Sequence, residues 1–262
     1  MAANGKQAKK KRGSRLGLLD SLRGLTLISM IVYHGAWDLV YILGVRWPWY
    51  GSRGAFVWQQ SICWTFLLLS GFCVTLSSRP VLRGLMVSLC GALVTLVTWA
   101  FLPQDIVIFG VLTLIGAAMI LTGLLRGLLE KIPPAEMVLA CMILFIMTRF
   151  VNSGFIGIWR LRLLSLPFSW YANYGTAFLG FPFPGFFSTD YFSLLPWIFL
   201  YLAGFFLCRT CQQTGFIKSG FFRFRVPGLE FLGRHSLLIY MLHQPVLYAG
   251  IAAFEWFGQI VH

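Results

Sequence analysis

The stretch LLDSLRGLTLISMIVYHGAWDLVYILG, residues 18–44, decides how the chain is read. A membrane span needs about 20 mostly apolar residues, and this stretch has that length and character. Yet it carries Asp20, Arg23, His34 and Asp38. An ionisable group inside hydrocarbon is costly and by default marks a functional site. Arg23 and His34 are eleven residues apart. In an α-helix that is close to three turns, so both side chains share one face, ~16 Å apart along the axis. Arg23 then lies near one mouth of the span and His34 at or beyond its middle. Asp38 follows His34 by one turn, within side-chain reach. A carboxylate there can set the imidazole tautomer and support its cation. Asp20, three residues before Arg23, can pair with it. The plain structural readings are an ion pair that ends the helix and a histidine that hydrogen-bonds between helices.

The rest of the chain extends this reading. Of 262 residues, 58% are hydrophobic and 11% are charged, whereas a soluble domain is about a quarter charged. Mean hydropathy is +0.77. The expected fold is an all-α, polytopic helical membrane protein. It comprises a basic cytoplasmic tail over residues 1–15 and one transmembrane domain over 16–262. Spans are expected near 18–44, 55–78, 82–101, 105–125, 135–152, 191–208 and 235–257, about seven in all. Arg79-Pro80, Pro103, Pro133-Pro134 and Pro227-Gly228 punctuate the connections. Residues 153–190 are too broken by Pro and Gly for a normal span. They are expected to lie in the interface or to re-enter the protein beside a cavity.

The net charge of +13 does not point to nucleic acid. Lys6, Lys9, Lys10, Lys11, Arg12 and Arg15 crowd before the first span, and most other basic residues sit in short connections. That is the distribution of topology signals. With the N-terminus in the cytoplasm, 16 of the 21 Lys and Arg fall inside. The expected location is therefore a cell (inner) membrane. The first apolar run is too long, and too rich in ionisable groups, for a cleaved signal peptide. Cys208 and Cys211 have the spacing of metal ligands but lack a second pair or a nearby His, so no metal is expected.

LDSLRGLTLISMIVYHGAWDL, residues 19–39, resembles the opening helix of the heparan-alpha-glucosaminide N-acetyltransferase-like family of transmembrane acyltransferases. Arg23 and His34 match the Arg–ten residues–His pattern of that wider group. FLLLSGFCVTLSSR (66–79), FGVLTLIGAAMIL (109–121), STDYFSLLPWIFLYLAGFFLCR (188–209) and LGRHSLLIYMLHQPVL (232–247) resemble its later spans. There are departures. The family's lysosomal enzyme has an Asn near the place of His34 and a catalytic His in the following loop, whereas this chain has no His between His34 and His235. Thr113 stands where the fourth span often has His, and Ser193 where Pro is usual.

The resemblance implies acyl transfer, acetyl above all, from cytoplasmic acetyl-CoA or another acyl-CoA to a hydroxyl or amine of an extracytoplasmic sugar or glycan. Arg23, Arg79, Arg83, Arg234, His235 and Ser236 are the candidates for donor binding. Arg79, Arg83 and Arg234 read equally as topology anchors, and the 234–236 stretch as a helix start. His34 is the candidate base, Asp38 orients it, and His243 is a second base or a packing residue. Asp190, Tyr191 and Gln244 are the acceptor candidates. Trp47, Trp49, Tyr50, Trp170, Tyr171 and Tyr174 stack on a sugar or form an interfacial belt. The partners expected are the lipid bilayer, acyl-CoA and the glycan, and a homo-oligomer is compatible. The rival function is a proton-coupled transporter or channel, since a buried Arg–His–Asp set also serves a proton relay.

Overall fold

The computed structural model describes residues 16–159 and 161–261. The basic tail and Arg160 lie outside the described residues. The helices are α1 (Gly17–Tyr41), α2 (Arg53–Val74), α3 (Pro80–Phe101), α4 (Val111–Leu124), the single turn α5 (Arg126–Leu129), α6 (Pro134–Met147), the short α7 (Tyr174–Leu179), α8 (Leu194–Gln213), the turn α9 (Gly220–Arg223), α10 (Pro227–Arg234) and α11 (Ser236–Val261). Each expected span coincides with a helix, although not every one is long and apolar enough to cross a membrane. Five segments are long and apolar enough to cross a membrane: α2, α3, Pro134–Ser153, α8 and Ser236–Phe254. α1 has the length, 25 residues, but its ionisable groups dilute its apolar character. α4 has only 14 residues.

Local signals start the helices where chain chemistry dictates. Ser52 caps α2, its hydroxyl accepting from the Ala55 N–H. Pro80, Pro134 and Pro227 open α3, α6 and α10, where a missing N–H costs nothing. One expectation needs correction. The fourth span, expected from residue 105, begins at Val111. Residues 105–110 are instead held by the 188–192 stretch. The Thr189 N–H donates to the Ile106 carbonyl and the Phe192 N–H to the Phe109 carbonyl. Such irregular backbone is tolerated at depth where protein satisfies it and a cavity lies beside it. The 153–190 stretch contains an antiparallel hairpin, β1 (Phe155–Ile158) with β2 (Leu161–Ser165), followed by α7 under an Asn173–Thr176 capping box.

Close helix contact rests on glycine. A Cβ on Gly71 of α2 would sit 1.9 Å from the Tyr201 carbonyl oxygen of α8, and one on Gly204 would sit 2.2 Å from the Leu68 carbonyl oxygen. Gly24 and Gly233 bring α1 and α10 together in the same way, against the carbonyls of Leu229 and Asp20. Small residues at such crossings let backbones approach, and packing is what holds membrane helices together. Gly71→Ala is therefore expected to cost at least about 1–3 kcal/mol, as overpacking does, because backbone rather than a pliable side chain must yield. A thermal melt in detergent checks this. Gly127→Ala, with open space around it, is the control and should melt like the parent. Equal melting of the two variants would contradict the packing argument.

The main core lies between α2, α4, α6 and α8, where Leu67, Leu114, Phe145, Trp197 and Leu200 are buried. Outside it, Leu85, Leu89, Leu93 and Leu96 of α3 are apolar and exposed, as a lipid-facing surface requires. α1, α10 and α11 flank this core. Their polar residues, together with the ends of α2 and α4, enclose the space described next.

Candidate functional site

Three cavities follow one another along the inside of the bundle. The first, about 720 Å³, opens at the end where α1 begins and is lined by Asp20, Arg23, Arg83, Gln212, Lys218 and Arg223 among others. The second, about 270 Å³, shares Arg23, Cys73 and Arg83 with the first and adds Ser70, Ser77 and Ser236. The third, about 250 Å³, is lined by His34, Gln59, Asp105, Thr189, Asp190 and Gln244 among others. Phe66, Val111 and Tyr240 line both the second and the third. A row of cavities thus runs from Arg23 to His34, side by side with α1.

Arg23 is fixed from three directions. One guanidinium nitrogen donates to Asp20 Oδ1 at 2.9 Å and to the Gly233 carbonyl at 3.3 Å; the other donates to Cys73 Sγ at 3.1 Å. The pairing of Asp20 with Arg23 read from their spacing is present. α10 docks on α1 beside it, with the Val226 N–H donating to Ser21 Oγ at 3.0 Å.

His34 faces His243 of α11, with ring centroids 4.9 Å apart. His243 Nδ1 lies against the Tyr240 carbonyl. A carbonyl only accepts, so Nδ1 carries the proton and Nε2 of the neutral ring is an acceptor. That Nε2 is buried with no protein partner, as are Asp38 Oδ2 and Gln244 Oε1. Asp38 is given to Gln244 rather than to the His34 ring: Gln244 Nε2 donates to Asp38 Oδ1 at 3.0 Å. One turn of helix puts Asp38 on the side of His34, but α11 supplies a nearer donor, which a single helix cannot reveal. The ring that meets His34 from another helix is His243.

The remaining candidates divide. Arg83 and Ser236 line the inner cavities. Arg79 is exposed at the start of α3, away from them. Arg234 is exposed and ion-paired with Glu230, and His235 is exposed with its ring over Phe231. Both fall on the outer side of the α10–α11 corner, because α10 ends at Arg234 and the chain turns there. Asp190 lines the outer cavity, its Oδ2 accepting from the Val111 N–H at 3.3 Å at the head of α4. Burial pushes its carboxyl up to about 6. Tyr191 turns away and donates to the Ala177 carbonyl. Trp47, Trp49 and Tyr50 stack on one another and on Tyr33 and Trp58 near the outer end of α1, and Trp170, Tyr171 and Tyr174 pack on Phe181 and Phe183. None of the six lines a cavity described above. Thr113 packs on α3, where a Cβ on Gly91 would sit 2.7 Å from its hydroxyl, which leaves no room for a larger side chain.

Sequence reading passed over Lys218 and Arg223, which read as topology charges, and Gln59, Asp105 and Thr189, which lie in connections or among apolar neighbours. Their only signal was polarity at the edge of a span. No group of three or more metal-ligating side chains occurs among the described residues.

Fold and cavities together define a class: a polytopic helical membrane protein with a polar site inside its bundle. More particularly, residues 15–245 match the family model described as Heparan-alpha-glucosaminide N-acetyltransferase, catalytic, and the chain belongs to that family. The family is one of membrane acetyltransferases, so the class is that of a transferase. No curated protein and no solved structure gives a significant match.

Proposed function

We propose that this chain moves an acetyl group from acetyl-CoA, entering through the basic mouth, to a hydroxyl or amine of a sugar or glycan in the outer cavity. The observation that carries this reading is the row of cavities joining Arg23 to His34. CoA is a polyanion, and Arg23, Arg83, Lys218 and Arg223 surround the first cavity. Guanidinium forks suit phosphate oxygens, and an ammonium adds a mobile point charge. Ser70, Ser77 and Ser236 offer hydroxyls to the amides of the pantetheine arm. Arg79 and Arg234 contribute at most a diffuse positive field from outside the cavities, and His235 lies outside them too.

The thioester then meets the acceptor beside His34. An imidazole nitrogen of His34 takes the acceptor's O–H or N–H proton while the acceptor atom bonds to the thioester carbonyl carbon. The tetrahedral intermediate collapses, the carbon–sulfur bond breaks, and the CoA thiolate leaves. It takes the proton from the imidazolium, giving free CoA and a neutral His34. The His243 ring, with Nε2 as an acceptor, supports the charge on its neighbour while it lasts. Asp38 and Gln244 hold α1 to α11 behind the pair. Asp190 and Gln244 line the space for the acceptor, with Asp190 also holding the head of α4. Tyr191 acts through the loop, not on the acceptor. The basic end faces the cytoplasm of a cell (inner) membrane, as the positive-inside rule requires.

The test is an assay of purified protein in proteoliposomes with labelled acetyl-CoA and glucosamine as acceptor probe. Release of CoA matched by label on the glucosamine is expected. Proton flux across the same vesicles without CoA release would favour the transporter and overturn the reading.

A further inference from the structure

Attack on a thioester leaves a negative charge on its carbonyl oxygen. His34 handles the proton, and the charge needs a donor of its own. Gln59, Ile62, Cys63 and Phe66 line the His34 cavity. At spacings of three, four and seven they form one face of α2, and Gln59 is the amide on that face. Gln60, the next residue, reaches Arg149 beyond the end of α6 instead. We propose that the side-chain amide of Gln59 is the oxyanion donor of the transfer, set in that sense by Gln60 and Arg149 as positioning residues. The inference rests on the acyl-transfer reading above and adds the group that meets the charge of the tetrahedral intermediate.

The sense of each amide follows from its neighbours. Arg149 Nη2 donates to Gln60 Oε1 at 2.7 Å, and the Trp64 indole N–H donates to the same oxygen at 3.3 Å. Both groups only donate, so the Gln60 atom between them is oxygen and its other terminus is nitrogen. That nitrogen donates to Gln59 Oε1 at 3.3 Å. With its oxygen taken, Gln59 keeps two N–H groups, which have no hydrogen-bond partner among the described residues. The far end of the relay is a cation. The Arg149 guanidinium is half-buried, lies 4.6 Å from the Trp197 ring centroid and pairs with no carboxylate among the described residues. Arginine keeps its charge in proteins, and hydrogen bonds in a chain polarise one another. The positive end of the relay is therefore the free Gln59 amide. Thr98 and Thr189 also line the cavity, but their hydroxyls donate to the Val94 and Asp105 carbonyls. The Tyr240 hydroxyl turns about its own bond, whereas the Gln59 amide is already set, as preorganised stabilisation requires. In the transfer step the acceptor atom bonds to the carbonyl carbon, and the carbonyl π pair moves onto oxygen, where a Gln59 N–H donates to it. The pair returns as the carbon–sulfur bond breaks, and the amide keeps its protons throughout.

The experiment measures transfer to glucosamine at saturating acetyl-CoA, with acetyl-CoA affinity by isothermal titration on the same purified full chain. Gln59→Ala is expected to lower the saturated rate by about 10²–10³-fold, the usual worth of one oxyanion donor. The glucosamine KM and the acetyl-CoA affinity should stay at parental values, and the retained affinity shows that the variant is folded. Gln60→Glu is the second variant. Its carboxylate still accepts from Arg149 and Trp64, but its other oxygen only accepts. The Gln59 amide then turns over and offers the cavity an oxygen, so a comparable loss of rate is expected from exchanging one amino group for one oxygen. Because Gln60 acts through Gln59, the double variant should be no slower than Gln59→Ala alone, whereas a direct effect of the new charge would add to it. A near-parental rate in Gln59→Ala overturns the proposal. So does a loss confined to the glucosamine KM, or a double variant whose losses add. A parent that binds acetyl-CoA and transfers nothing overturns the acyl-transfer reading itself, and that result is seen before any variant is made.

Discussion

Replacing His34 with alanine is expected to lower acetyl transfer by about 10²–10⁴-fold, the usual worth of a well-placed general base, and to leave acetyl-CoA binding unchanged. The two effects separate because His34 lines only the outer cavity, beyond Phe66, Val111 and Tyr240, whereas the basic groups lie on the other side. Folding should also survive. His34 contributes a ring contact to His243, and the backbone contacts of α1 are made elsewhere, by Gly24 and around Asp20. Single-turnover rates and donor titration on the same preparation check both halves. Near-parental turnover in His34→Ala would remove the base from the mechanism. Loss of donor binding would instead mean that the imidazole holds the donor rather than the proton.

Replacing Arg23 gives the opposite pattern. Arg23→Ala is expected to weaken acetyl-CoA binding by roughly 10–100-fold, as losing charge-assisted hydrogen bonds of about 1.5–3 kcal/mol would do. The chemical step at saturating donor should change much less. The side chain is shared by the first two cavities, and its guanidinium is already oriented by Asp20, Gly233 and Cys73. A ligand therefore meets a fork that is held in place, and little side-chain entropy is left to lose. Arg23→Lys keeps the charge and loses the fork, so an intermediate loss is expected. Removing Arg23 also unpairs Asp20 and loosens the docking of α10, so a thermal melt accompanies the titration. A stable variant with parental donor affinity would take the entry path away from this side chain. The sum of the two experiments is an assignment of ends: Arg23 to the donor and His34 to the acceptor.

Much of this is legible in the amino-acid sequence. Apolar runs broken by Pro-containing connections locate the helices, because a backbone in hydrocarbon must satisfy its own hydrogen bonds and a helix does so locally. The eleven-residue step from Arg23 to His34 places both on one face, because helical pitch is a property of the backbone alone. The pairing of Asp20 with Arg23 is local for the same reason. The hairpin of β1 and β2 was not legible, since its second strand, Leu161–Ser165, is exposed throughout and carries no alternation of buried and exposed residues.

What lay beyond reach were the relations between helices. The partner of His34 is His243, 209 positions away, and the partner of Asp38 is Gln244. Of the three neighbours Arg234, His235 and Ser236, only Ser236 turns inward, because α10 ends and the chain bends at that point. Lys218 and Arg223 come to line one cavity with Arg23 only when the end of α8, the turn α9 and the start of α1 meet at the same place. The late start of α4, which sets Val111 between two cavities, depends on a strand of loop 80 residues downstream. By itself the sequence determined the membrane class, the order of the helices and the polar wall of α1, since each follows from composition or from the repeat of one helix. Tertiary structure alone decided which polar groups share a cavity, since that depends on how closely glycine lets separate helices approach.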